Sequence, residues 1–314
     1  MKSIIKSNKK AFLQISYQWI FALVAGGVIL FLAIYGATKV IETGETQIDA
    51  KTGRNIGILL NPLESGPESF TKPQPLQLPV DTRIYNDCDN MGEFGHQKIS
   101  ISQKSYGKWT DTKTQVSFPN KYIFSESPVE GKTFIVFSKP YNLPFKVASL
   151  IYLIPFEEDY CFSDAPEDIE RDINNINAKN LKIGNCTQED IKVCFSSDSD
   201  CDMRVDVGGG VVEKREGEIY FQDESLMYGA IFSSVENYEC QVKRIMQRIV
   251  NLVEIYNDKA QFISPIGCNS NLRTDLNVLK SKAGNLTDSH GLYQITSLSK
   301  DIQEENKYAV CSLW

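Results

Sequence analysis

The pattern of apolar and polar positions changes character along the chain. From Ala11 to Thr38 there is no Asp, Glu, Lys, Arg or His, and Trp19 to Ala37 (WIFALVAGGVILFLAIYGA) is apolar all round a helix rather than along one stripe. About 20 such residues cross the hydrocarbon core of a bilayer, so residues 17–38 predict a transmembrane helix in contact with lipid, with Trp19 and Tyr35 as interface anchors. The run exceeds the roughly 7–15 apolar residues of a cleaved secretory signal, which favours a retained anchor.

After Thr38 the pattern breaks. Gly44, Gly53 and Gly57 make a continuous helix out to Ile58 costly, at about 1 kcal/mol each relative to alanine. Prolines at 62, 67, 73, 75 and 79 exclude regular helix and inner strand, so residues 61–80 read as a stalk. From Asp81 short runs rich in β-branched and aromatic residues predict strands: KISIS (98–102), TFIVFS (133–138), IKVCF (191–195), RVDV (204–207), EIYF (218–221) and MYGAIF (227–232). Arg215-Glu216-Gly217 joins VVEK to EIYF as a β-hairpin, and Gly208-Gly209-Gly210 turns the chain between RVDV and VVEK. Asp164, Pro166 and Glu167 mark a helix start before Ile169, Ile173 and Ile176, predicting helix over 165–178 and a β-α-β unit with DYCF (159–162).

Helical periodicity is strongest in the C-terminal part. Tyr238, Val242, Ile245, Ile249, Leu252, Tyr256, Ala260 and Ile263 recur at steps of three and four, giving a long amphipathic helix over 235–263 that Pro265 and Gly267 end. Leu272, Leu276 and Leu279 start a second helix that Gly284 closes, and Leu292, Ile295, Leu298 and Ile302 a third. The expected organisation is a basic segment 1–10, a membrane helix 11–41, a juxtamembrane segment and stalk 42–80, an ectodomain 81–234 and a helical hairpin or bundle 235–314 packed upon it. The ectodomain reads as α/β with a mixed sheet, α+β being the alternative.

Charge and cysteine usage add direction to this layout. Lys2, Lys6, Lys9 and Lys10 precede the apolar run and Glu42, Glu45 and Asp49 follow it, which leaves the N-terminus cytoplasmic and exports the rest. All eight cysteines (Cys88, Cys161, Cys186, Cys194, Cys201, Cys240, Cys268, Cys311) lie after the run, an even set that predicts disulfides with on the order of a hundred pairings open. An up-down-up course of the C-terminal helices would bring Cys268 and Cys311 together. Asn185-Cys186-Thr187 and Asn285-Leu286-Thr287 fit the N-glycosylation acceptor pattern. A net charge of −7 argues against nucleic acid as a partner.

Candidate chemistry is sparse. His96 and His290, in GEFGHQK and TDSHGLY, read as surface histidines, which disfavours a Ser/His/Asp or Cys/His enzyme. Neither a phosphate-binding loop nor a dinucleotide fingerprint is present. Asp198, Asp200 and Asp202 alternate as the first ligands of a calcium loop do, but Met203 and Gly209 stand where its glycine and glutamate belong. Calcium is thus a candidate cofactor at one acidic turn.

Lys9-Lys10-Ala11 followed by Phe12-Leu13-Gln14-Ile15-Ser16 and an uncharged helix resembles archaeal type IV pilin-like and archaellin-like precursors. The resemblance implies a class III signal cut after Ala11 and apolar helices packed into a filament, although Ser16 replaces the glutamate of many bacterial pilins. LMYGAIFSS and YECQVKRIMQRI resemble stretches of archaeal cell-surface proteins with one N-terminal helix. The expectation is a non-enzymatic surface protein of structural or adhesive type, with homo-oligomer, pilus-like or envelope partners. An extracytoplasmic ligand- or calcium-binding sensing domain is the alternative, and a carboxylate-only surface hydrolase the third reading.

Overall fold

In the computed structural model, residues 17–60, 73–90, 92, 94–105, 107–110, 115–196 and 200–314 are described. The basic segment 1–10, Ala11, residues 61–72 of the proline-rich stretch and Asp198 lie outside them. The described residues divide into two compact units, with the boundary between Ile48 and Asp49.

Helix α1 is continuous from Tyr17 to Leu59. Within it, Tyr17–Val40 is long and apolar enough to cross a membrane, and none of that window is buried. Leu23 is 72% exposed and Phe31 67%. At about 1.5 Å per residue, 24 residues exceed a hydrocarbon core of about 30 Å.

The second unit holds two mixed sheets. The first runs β3(Lys108–Trp109)-β2(His96–Ser105)-β1(Gln74–Asp89)-β6(Val129–Asn142)-β7(Lys146–Pro155)-β5(Tyr122–Phe124), with β4(Gln115–Phe118) also on β2. Its strands are antiparallel except β5, which lies parallel to β7. The central strands β6 and β7 alternate strictly. Phe134, Val136, Ile151 and Leu153 enter one apolar cluster with Leu76, Ile84, Ile99, Ile101 and, from the end of α1, Ile56 and Leu60. Ile135, Phe137, Leu150 and Tyr152 enter the other, with the C-terminal helices.

Helix α1 passes through its glycines because one of them is needed. A Cβ on Gly57 would lie 2.1 Å from Phe118 Cζ, so helix and sheet approach closely only with glycine there. The body also begins earlier than Asp81, since β1 starts at Gln74 in the expected stalk. Pro75 faces only β6, because pairing with β2 begins at Thr82, and Pro79 falls where the β1–β6 register shifts between Gln77 and Thr82. A missing N–H is tolerated at both places.

The second sheet runs β13(Gly217–Tyr220)-β12(Val211–Lys214)-β11(Met203–Asp206)-β10(Ile191–Cys194)-β8(Tyr160–Ser163)-β9(Leu181–Ile183). The predicted hairpin is β12–β13, with Lys214 opposite Gly217. Strand β8, helix α2(Glu167–Ile176) and the parallel strands β9 and β10 form the expected β-α-β unit. Asp164 does not cap α2. It sits at φ 53°, and Pro166 occupies the N-cap with no side-chain hydrogen bond.

MYGAIF is not a strand but part of helix α3(Glu224–Phe232). Asp223 accepts from Leu226 N–H at 2.8 Å and starts the helix, while every residue from Ser225 to Phe232 is buried. Burial on all sides erases the helical stripe, leaving an apolar run that periodicity cannot assign. The C-terminal helices follow expectation as α4(Val235–Ile263), α5(Arg273–Gly284) and α6(Leu292–Tyr308), with Ser264–Ile266 a single 3-10 turn. The four disulfides are Cys88–Cys240, Cys161–Cys186, Cys194–Cys201 and Cys268–Cys311; the last, with Cα atoms 5.7 Å apart, is the expected pair.

Candidate functional site

A cleft of about 710 Å³ opens where the end of β1 meets the start of α4. Asn86 to Asn90 line one side, Ser234 to Asn237 with Cys240 the other, and Ser127 and Glu216 close it. Ser234 fixes the helix start by accepting from Asn237 N–H at 3.3 Å. The Cys88–Cys240 disulfide joins the two walls across 152 residues of sequence. Four carboxylates, Asp87, Asp89, Glu216 and Glu236, reach the cleft, so it offers negative charge and hydrogen-bond acceptors. Asp89 already binds Lys98 Nζ at 2.5 Å and lies 3.4 Å from His96 Nδ1.

Beneath the cleft a buried polar network fastens α4 to the first sheet. Asn86 Nδ2 donates to Ile123 O at 3.0 Å and Ser125 Oγ at 2.7 Å, and its Oδ1 accepts from Gln97. Gln97 Oε1 accepts from Ile123 N–H at 3.0 Å and from Gln241 Nε2 at 2.7 Å. Arg244, fully buried, donates to Gln241 Oε1 and Lys121 O, each at 2.8 Å, and lies over the Tyr122 ring at 4.7 Å. Burial lowers its pKa to about 10. Gly95, at φ +56°, makes room for it: a Cβ there would lie 2.8 Å from Arg244 Cγ. Buried amides are stabilising only when satisfied, so each partner specifies the position of the others.

A second charged cluster joins β6, α2 and α3. Lys139 Nζ binds Asp172 Oδ2 at 2.7 Å and Glu224 Oε1 at 2.6 Å, and sits 5.0 Å from the centre of the Tyr228 ring. Burial, then the neighbouring Asp172 carboxyl, raises the Glu224 pKa. Burial pushes Asp223 up to about 6, against the Leu226 N–H that favours its charged form.

Of the residues singled out by sequence, Cys88 and Cys240 line the cleft, and the acidic candidates Asp200 and Asp202 do not. Asp200 pairs with Lys192, and Asp202 accepts from Lys192 N–H at 2.9 Å. Among the described residues no group of three or more His, Cys, Asp or Glu side chains is placed to hold a metal ion. His96 is at the β1–β2 turn region and His290 stacks edge-on to Tyr220 at 4.8 Å. Asn185 and Asn285 are both exposed, on different loops.

The network residues were missed, although Asn237, Gln241 and Arg244 form a polar stripe at steps of four and three beside the apolar stripe of Tyr238, Val242 and Ile245. That adjacency was the signal available. No protein-family model, curated protein or solved structure matches this chain.

Proposed function

We propose that this chain is a membrane-anchored, extracytoplasmic surface protein of structural or adhesive type. The observation that carries the reading is the helix Tyr17–Val40, which leaves its large apolar side chains uncovered. Water solvates such a surface poorly, at roughly 25 cal/mol per Å², so lipid or other apolar helices are its natural surroundings. The four disulfides of the body support an oxidising compartment beyond the membrane. The same apolar helix supports a pilus-like or envelope assembly, in which the leader is removed after Ala11.

Alkaline carbonate extraction and protease treatment of intact cells test the placement. The expected result is a full chain that stays in the membrane pellet and loses its body to external protease. Release by carbonate, or a body protected until cells are lysed, overturns it. N-terminal sequencing of the extracted protein then tests assembly: a start at Phe12 supports processing, and an intact Met1 removes it.

A further inference from the structure

Two segments of the body carry the Asn-x-Thr pattern, and the structure treats them differently. Asn285 is the C-cap of α5, with φ −100° and ψ 6°, a conformation open to any residue. Asn285 and Thr287 are both exposed on the short connection to the Ser289–Gly291 turn. The Thr287 hydroxyl makes one contact, at 3.2 Å with the side chain of its neighbour Asp288. No hydrogen bond holds the Asn285 side-chain amide among the described residues.

At Asn185 the same pattern is locked. Asn185 is in the left-handed region at φ 50°, and the middle residue, Cys186, is bonded to Cys161. The Thr187 N–H and hydroxyl both donate to Asp190 Oδ2, at 2.6 and 2.9 Å. Lys182 Nζ binds the other carboxylate oxygen at 2.8 Å. An enzyme that reads the threonine hydroxyl of an extended acceptor must break these bonds and free Cys186 from its disulfide before Asn185 can be used. At Asn285 the threonine hydroxyl is held only by the 3.2 Å bond to its neighbour Asp288, and no disulfide fixes the middle residue.

We propose that Asn285 is a glycan acceptor and that Asn185, despite its motif, is not. The donor would be a lipid-linked oligosaccharide. Asn285 Nδ2 forms a bond to the anomeric carbon, the glycosyl–phosphate bond breaks, the lipid diphosphate leaves with its electron pair, and one amide proton passes to solvent. This rests on the exported placement proposed above, since such donors are used on the far side of the membrane.

The test is peptide mass mapping, without reduction, of the full chain produced in a host that N-glycosylates its exported proteins. The expected result is four intact disulfides, a glycan mass on the peptide holding Asn285 and none on that holding Asn185. The electrophoretic shift should vanish in Asn285→Gln and Thr287→Ala, persist in Thr287→Ser and be unchanged in Asn185→Gln. Four disulfides with a bare Asn285, or with Asn185 modified, overturn the proposal and leave the placement standing. Reduced cysteines with both asparagines bare overturn the two together.

Discussion

Helices α1 and α4 are the two longest among the described residues, at 43 and 29 residues, yet they dispose their apolar side chains in opposite ways. Along Tyr17–Val40 helix α1 has apolar side chains on all faces and none covered. Helix α4 buries one apolar stripe, with Val242, Ile245, Ile249 and Val253 inaccessible, and sets a polar stripe of Asn237, Gln241 and Arg244 against the sheet. A stripe records a solvent boundary that the fold itself supplies; its absence means that the surroundings are uniform. On the anchoring proposed above, the first helix depends on what lies outside the chain, and the second on what lies within it.

Four measurements break or sharpen this contrast. The largest effect is expected on α4 from replacing Cys88 and Cys240 together by Ser, which frees a long loop and should cost about 4–5 kcal/mol, seen as a lower urea midpoint of the full chain in detergent. An unchanged midpoint would show that the amide network alone holds the helix. Next, Ile249→Ala should cost about 3–4 kcal/mol by leaving a cavity, whereas Ile29→Ala should leave the body's midpoint where it was. Equal losses at the two sites would end the distinction.

Leu30→Arg addresses α1 directly. It should weaken membrane insertion by about 3 kcal/mol, read as protein shifted from the carbonate pellet to the supernatant, with the melting of the body unaltered. The smallest effect concerns charge buried beside α4. Asp223 titrates at about 6 in the fold against an ordinary 3.8, so the fold holds its proton more tightly than the unfolded chain does. Its stabilising contribution is complete below the ordinary value and is lost as pH rises through about 6. Asp223→Asn keeps an acceptor for Leu226 N–H and should flatten that slope, raising stability near neutral pH by no more than about 3 kcal/mol at roughly 1.4 kcal/mol per pH unit. A denaturant midpoint followed from acid to neutral pH, with no difference between variant and parent, would remove Asp223 from the account.

What could be read from sequence followed from local periodicity. Helix α4 was evident because it buries one apolar stripe and leaves the opposite side less covered, and the β12–β13 hairpin because a two-residue turn pairs it with its neighbour. Cys268 and Cys311 could be matched since two helices of opposite direction, α5 and α6, separate them. Elements fully enclosed by others were not evident: α3 gave an apolar run because nothing around it is polar. Pro75 and Pro79 pointed away from a strand, and only the one-sided pairing and register shift of β1 reconcile them with one. Of the cleft, the cysteines were identified but their pairing was not, because Cys88 and Cys240 are brought together by the sheet rather than by neighbours in sequence. Asn86 and Gln97 carry no local signal for the same reason.

The Cys88–Cys240 bond also has a mechanical meaning. If the chain is pulled between its N-terminal helix and its C-terminus, load entering β1 crosses to α4 through two sulfur atoms and bypasses the whole stretch between them, a sequence separation of 152. Fully extended, that stretch would lengthen the molecule by about 500 Å. The second sheet and most of the first therefore bear no tension while the bond is intact. Cys268–Cys311 acts likewise across a sequence separation of 43, so a body held in this way stays short under force.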